Sequence, residues 1–173
     1  EAIMKKIKFD GSGFTAERIA AKQFNGELVD DKELQYKDID LFIKSRTGVA
    51  TPVSVKDQLY SSGRYGAIQI ETKMTNTRTG ATDVGCFYKS EAAYYLWRIE
   101  YKGVDTWAVI EYKALQEFLE ANPSGVFTWS TLPATEAKNR SYNRYYDRAE
   151  GITIPLSVLE PVVSRFIKVK EVV

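Results

Sequence analysis

Carboxylates and lysines fall at even spacing on strand-like runs of this chain, and even spacing on a strand means a shared face, because side chains alternate across it. In the run from Glu33 to Lys44, Ile39, Leu41 and Ile43 share one face while Asp38 and Asp40 take the other. In Thr51 to Lys56, Val53 and Val55 oppose Ser54 and Lys56; in Ala67 to Met74, Ile68 and Ile70 oppose Gln69, Glu71 and Lys73. If these strands are neighbours in register, two aspartates, a glutamate and two lysines converge on one polar face.

Such a face has a chemical use. Two or three carboxylate oxygens at one point, with water in the remaining positions, form the octahedral all-oxygen site that magnesium prefers, and Asp38, Asp40 and Glu71 are the candidate ligands. A lysine beside such a site stabilises charge developing on a phosphate or orients a nucleophilic water. The chain has no histidine and a single cysteine, Cys86, which removes zinc clusters, intrachain disulfides and Ser-His or Cys-His chemistry. Any catalysis must therefore use carboxylates, lysines and a hard metal, with Mg2+ as the expected cofactor and Mn2+ as its substitute. Taken singly, each residue also has an ordinary reading: a solvated strand face for the aspartates, a surface ion pair for Glu71 and Lys73, an exposed edge-strand lysine for Lys56.

The positioning elements follow from periodicity. Glu17, Ala20, Ala21 and Phe24 recur at helical spacing after the capping residues Ser12 to Thr15, and Asn25-Gly26 stops the helix. Ser45-Arg46-Thr47-Gly48 reads as the hairpin turn between the first two strands, and Thr75 to Gly85 as a polar loop. Ser90 caps a predicted short helix through Tyr95. Leu96 to Tyr101 and Thr106 to Tyr112 are strands around a turn at 102–105, and Lys113 to Ala121 is an amphipathic helix ending before Pro123.

At 173 residues, with 44% apolar and 27% charged residues, the chain reads as one globular α/β (α+β) domain over 1–173, its core about 12–121 and a C-terminal extension about 122–173. No apolar run is long enough to span a bilayer, so no membrane partner is expected and the expected location is cytoplasmic. The balance of 24 bases against 23 acids gives little long-range attraction to a polyanion, so binding to nucleic acid would need local basic patches.

The helix with Glu17, the strand with Asp40, the hairpin into Val53-Ser54-Val55-Lys56, and Ile70-Glu71-Thr72-Lys73 together resemble the PD-(D/E)xK nuclease family, over roughly residues 12 to 112. The resemblance implies a restriction-endonuclease-like core, a central mixed β-sheet flanked by helices, with magnesium held through an aspartate and a D/E-x-K motif and often assisted by a glutamate from the first helix. By it Asp40 is the main ligand and Glu17 the helix glutamate. The chain departs from the pattern at Ser54, which stands where the family has its acid. One reconciliation is a migrated acid, with Asp40, Glu71 and Lys56 as the core of the site and Lys73 a further member. Which of Lys56 and Lys73 is the catalytic lysine stays open.

The expected activity is then hydrolysis of DNA phosphodiester bonds. Arg46, Arg64 and Arg78, in predicted loops beside the site, are candidate phosphate contacts, as are Arg140, Arg144, Tyr145 and Arg148 in a segment that interleaves bases with tyrosines. Cleavage of both strands would call for a homodimer, although no segment identifies an interface. The alternative is a non-catalytic nucleic-acid-binding or protein-interaction module of the same fold. Trp97, Trp107 and Trp129 read as core residues and Cys86 as a small buried hydrophobe.

Overall fold

A computed structural model describes residues 12–121, 128–132 and 148–171 of the chain. The first helix, α1 (Ser12–Gln23), buries Ala16 and Ala20 one turn apart, which lets its backbone lie close on a sheet. Asn25, at φ +52°, reverses the chain into β1 (Gly26–Leu28). A short helix, α2 (Lys32–Tyr36), leads into β2 (Leu41–Lys44), which pairs antiparallel with β1 on one side and β3 (Ala50–Asp57) on the other. The β2–β3 turn is closed by the Ser45 N–H donating to the Val49 carbonyl, with Gly48 at φ +82°.

After β3 the chain crosses over and returns as β6 (Tyr94–Tyr101), parallel to β3, then makes a hairpin through Lys102 and Gly103, both at positive φ, into β7 (Val104–Glu111). Strand β10 (Arg165–Lys168) closes the mixed six-stranded sheet in the order β1-β2-β3-β6-β7-β10. The crossover contains helix α3 (Leu59–Tyr65), β4 (Ala67–Thr75) and β5 (Thr82–Val84). Those two strands build a separate antiparallel sheet with β8 (Thr128–Leu132) and β9 (Arg148–Pro155), in the order β5-β4-β9-β8. Helices α4 (Tyr112–Ala121) and α5 (Leu156–Leu159) complete the described elements.

Each face of the large sheet has its own core. Leu41, Val53, Val55, Leu96 and Trp107 pack with Ala16 and Ala20 of α1. On the opposite face Tyr95, Trp97, Ile99, Ala108 and Ile110 meet Ile68, Ile70, Ile152 and Ile154 of the small sheet. Each fully buried isoleucine contributes on the order of 2 kcal/mol from removing apolar surface from water. The chain is thus an α+β protein built on a mixed sheet, and among its described residues no helix is long and apolar enough to cross a membrane.

The structure corrects the sequence reading in several elements. The run from Glu33 to Lys44 is not one strand: Asp31 accepts from the N–H groups of Glu33 and Leu34 and so caps α2, and only Leu41–Lys44 is extended. Asp38 and Asp40 therefore do not share a strand face. Strand β4 is not the neighbour of β3, because β6 occupies that position in parallel register, Val53 opposite Tyr94. The helix predicted from Ser90 is absent; a 3-10 turn, Cys86–Lys89, precedes that point and β6 begins at Tyr94. The 75–85 segment is a tight return onto β5, closed by the Asn76 side chain accepting from the N–H groups of Arg78 and Thr79. Arg64 lies on α3 rather than in a loop. Trp97 and Trp107 are buried, as expected.

Candidate active site

Strand β2 begins at Leu41, opposite Val53, so β3 runs on beyond it with its edge unpaired on that side. Asp40 occupies the gap. Its backbone is fixed on both sides, its N–H donating to the Val53 carbonyl and its carbonyl accepting from Val29. Its Oδ2 accepts from the Val55 N–H at 2.7 Å and from the Ser54 hydroxyl at 3.1 Å. The side chain thus satisfies a backbone donor that the ladder leaves over.

Asp38 is placed by the end of α2. The Ile39 N–H donates to the Leu34 carbonyl around Asp38, which sits at φ +61°, the left-handed position that usually selects glycine at a helix C-terminus. An aspartate there is buried to 3% exposure, with both carboxylate oxygens engaged: Oδ1 pairs with Lys56 Nζ, and Oδ2 accepts from the Tyr95 hydroxyl at 2.6 Å. Burial and the neighbouring Asp38 charge push the Tyr95 phenol well above its usual range, so it remains a donor. Tyr95 is in turn fixed by stacking on Trp97, at 5.2 Å between ring centres, and on Phe87 at 6.1 Å. The lysine is consequently oriented by a buried polar assembly and not by chance surface pairing.

Lys56 retains 31% of its side-chain exposure. Burial by itself would lower its pKa, but the charges of Asp38 and Asp40 outweigh that and hold it above its ordinary value. It is a fixed cation at neutral pH. Asp40 is raised, first by burial and then by Asp38, against the opposing effects of Lys56 and of the hydrogen bonds from Val55 and Ser54. Glu17, half-buried on α1, is pushed up to about 7 by burial and by the charge of Asp40, with Lys56 pulling it down. Glu17 and Asp40 thus lie within electrostatic reach of each other, one from a helix and one from a sheet edge, each resisting ionisation.

The other predicted residues are distributed as follows. Glu71 and Lys73 lie on β4 in the small sheet, on either side of a bulge, with Glu71 half-buried and Lys73 exposed. Gly85 packs so closely on the Glu71 carbonyl that a Cβ would lie 1.7 Å from its oxygen, which ties the 85–89 turn to β4. The charges of Lys56, Asp38 and Glu71 are all felt at Cys86. Cys86 is half-buried, and burial raises its thiol. Arg46 is exposed in the β2–β3 turn and Arg78 in the β4–β5 turn. Arg148 opens β9 opposite Thr75, while Arg140, Arg144 and Tyr145 lie outside the described residues.

The expected ligand trio of Asp38, Asp40 and Glu71 does not assemble: among the described residues no group of three or more Asp, Glu, Cys or His side chains gathers in a metal-holding arrangement. Asp38 is diverted because both its oxygens take donors. Glu17 and Asp40 are the remaining carboxylates that could hold a cation with water, each raised first by burial, Glu17 then by the Asp40 charge and Asp40 also by Asp38. The sequence reading missed Tyr95, which carries no local signal because its role depends on the parallel β3–β6 register. It also missed the Asp31 cap that announces α2. No family model matches the chain, and no curated protein or solved structure matches it significantly.

Proposed function

We propose that the chain is a magnesium-dependent nuclease that hydrolyses phosphodiester bonds in DNA. The observation that carries this reading is the cluster formed where β2 stops and β3 continues: Asp40 fixed by Val55 and Ser54, Glu17 on α1 feeling the Asp40 charge, and Lys56 paired with Asp38, which Tyr95 in turn holds. A helix glutamate, an aspartate immediately before a strand and a lysine at the x-K position of the following strand parallel the features that the PD-(D/E)xK resemblance names. The mixed sheet agrees with a restriction-endonuclease-like core.

In this reading Glu17 and Asp40 would hold the ion, which would supply Lewis acidity at a phosphate and lower the pKa of a water. Lys56, permanently protonated, stabilises negative charge on the phosphoryl oxygens; it does not accept a proton. Asp38 and Tyr95 are positioning residues that keep the ammonium from swinging out to solvent. Arg46 and Arg78 add phosphate contacts from exposed turns.

A second reading, a nucleic-acid-binding module without catalysis, is favoured by one observation: Ser54, wholly buried, stands at the motif's acid position. Cleavage of supercoiled plasmid and of a branched DNA with magnesium, manganese or EDTA, beside an Asp40→Ala variant, separates the two. Metal-dependent cutting that the variant lacks supports the nuclease; binding without cutting supports the module.

A further inference from the structure

Helix α3 leaves β3 directly after the Lys56 segment and is seated firmly on β6. The Glu100 N–H donates to the Ser62 hydroxyl at 2.8 Å, and Gly63 faces Glu100 so closely that a Cβ would lie 2.8 Å from its carboxylate. With the Ser62 hydroxyl buried against β6, Tyr60, Arg64 and Tyr65 lie exposed on the helix. Tyr60 is 71% and Tyr65 64% exposed, and the Arg64 guanidinium lies 6.0 Å and 5.6 Å from their ring centres. Among the described residues no carboxylate lies within ion-pair distance of Arg64. A similar pair flanks the other member of the lysine's ion pair: Tyr36, 63% exposed and two residues before Asp38, with Lys89 Nζ 4.1 Å above its ring, Lys89 also pairing with Asp83.

We infer that Tyr60, Arg64 and Tyr65 form a stacking platform for the bases of an unpaired DNA strand, so that the substrate of the proposed nuclease is single-stranded DNA or a single-stranded end. A duplex keeps its bases stacked on one another and offers no free base face, whereas an unpaired strand offers both a ring face to each tyrosine and a phosphate to the guanidinium. Two residues separate Lys56 from the start of α3, and Tyr36 supplies a further exposed ring two residues before Asp38. This names the substrate class for the nuclease reading and rests on it, but its test is independent of cleavage.

The test is fluorescence anisotropy of a labelled oligothymidylate and of a duplex of equal length, in EDTA. The wild type should prefer the single strand by about tenfold or more, the Tyr60→Ala/Tyr65→Ala variant should lose about 10- to 100-fold of that affinity, and the double Tyr→Phe variant should stay within about twofold. Unchanged melting curves would exclude misfolding. Equal affinity for duplex and single strand, an unaffected alanine variant, or absence of binding to either nucleic acid would overturn the inference, the last pointing to a protein partner for this surface. Failure of the nuclease reading would instead show as oligonucleotide binding that survives without any metal-dependent cutting.

Discussion

Strands β3 and β4 each carry a triplet ending in lysine, Ser54-Val55-Lys56 and Glu71-Thr72-Lys73, and the two fare differently in the fold. The β4 triplet has the acid and the lysine that the motif requires, yet it lies in the small sheet, with a bulge between its charged residues and Lys73 exposed. The β3 triplet lacks the acid, yet it lies where β2 ends, and its serine hydroxyl and backbone N–H bind Asp40 while its lysine binds Asp38. A strand that outruns its neighbour exposes backbone donors and a polar face at one point, and that opening gathers the cluster. Place in the sheet therefore outweighs the letters of the triplet.

The contrast is broken most sharply by removing the central carboxylate. Asp40→Asn should reduce metal-dependent cleavage by on the order of 10³-fold, while Lys73→Ala should change it by less than about threefold, both read as cleavage rates on a single-stranded and a branched DNA. Lys56→Met and Lys73→Met sharpen it in stability as well as rate. Losing Lys56 leaves Asp38 buried with Tyr95 as its remaining donor and should cost about 2 kcal/mol in urea denaturation, against at most about 0.5 kcal/mol for Lys73.

A smaller effect concerns pH. The Glu17 carboxyl is pushed up to about 7 in the fold from its ordinary 4.5, so its proton stabilises the native state at low pH and that contribution is lost as pH rises from about 4.5 through about 7. In metal-free protein Glu17→Gln should therefore be more stable than wild type at pH 8, by on the order of 1 kcal/mol after solvent screening, with the advantage gone near pH 4. Thermal melts across that range would show it. Ser54→Ala should cost about 1 kcal/mol by withdrawing one donor from Asp40.

Much of this was legible in the residues. Helical spacing of Ala20, Ala21 and Phe24 located α1; the hairpin turns at 45–48 and 102–105, the α4 helix and the burial of Trp97 and Trp107 also follow from local pattern. Glu17, Asp40 and Lys56 were identifiable as candidates by residue type. Three things were not readable. The parallel pairing of β6 with β3 is a long-range choice, and it excluded β4 from the large sheet. Asp38 at positive φ depends on how α2 ends, which reverses the side chain relative to a continuous strand. The burial that lifts Glu17 and Asp40 arises only when helix and sheet edge meet.

The proposed metal site lies between α1 and the β2–β3 gap and not on β4. It is tested most directly by calorimetric titration of magnesium into the metal-free protein and its Glu17→Gln, Asp40→Asn and Glu71→Gln variants. The account predicts one magnesium site that disappears in the Glu17 and Asp40 variants and persists in Glu71→Gln. Binding that survives in Asp40→Asn, or that is lost only in Glu71→Gln, would contradict it.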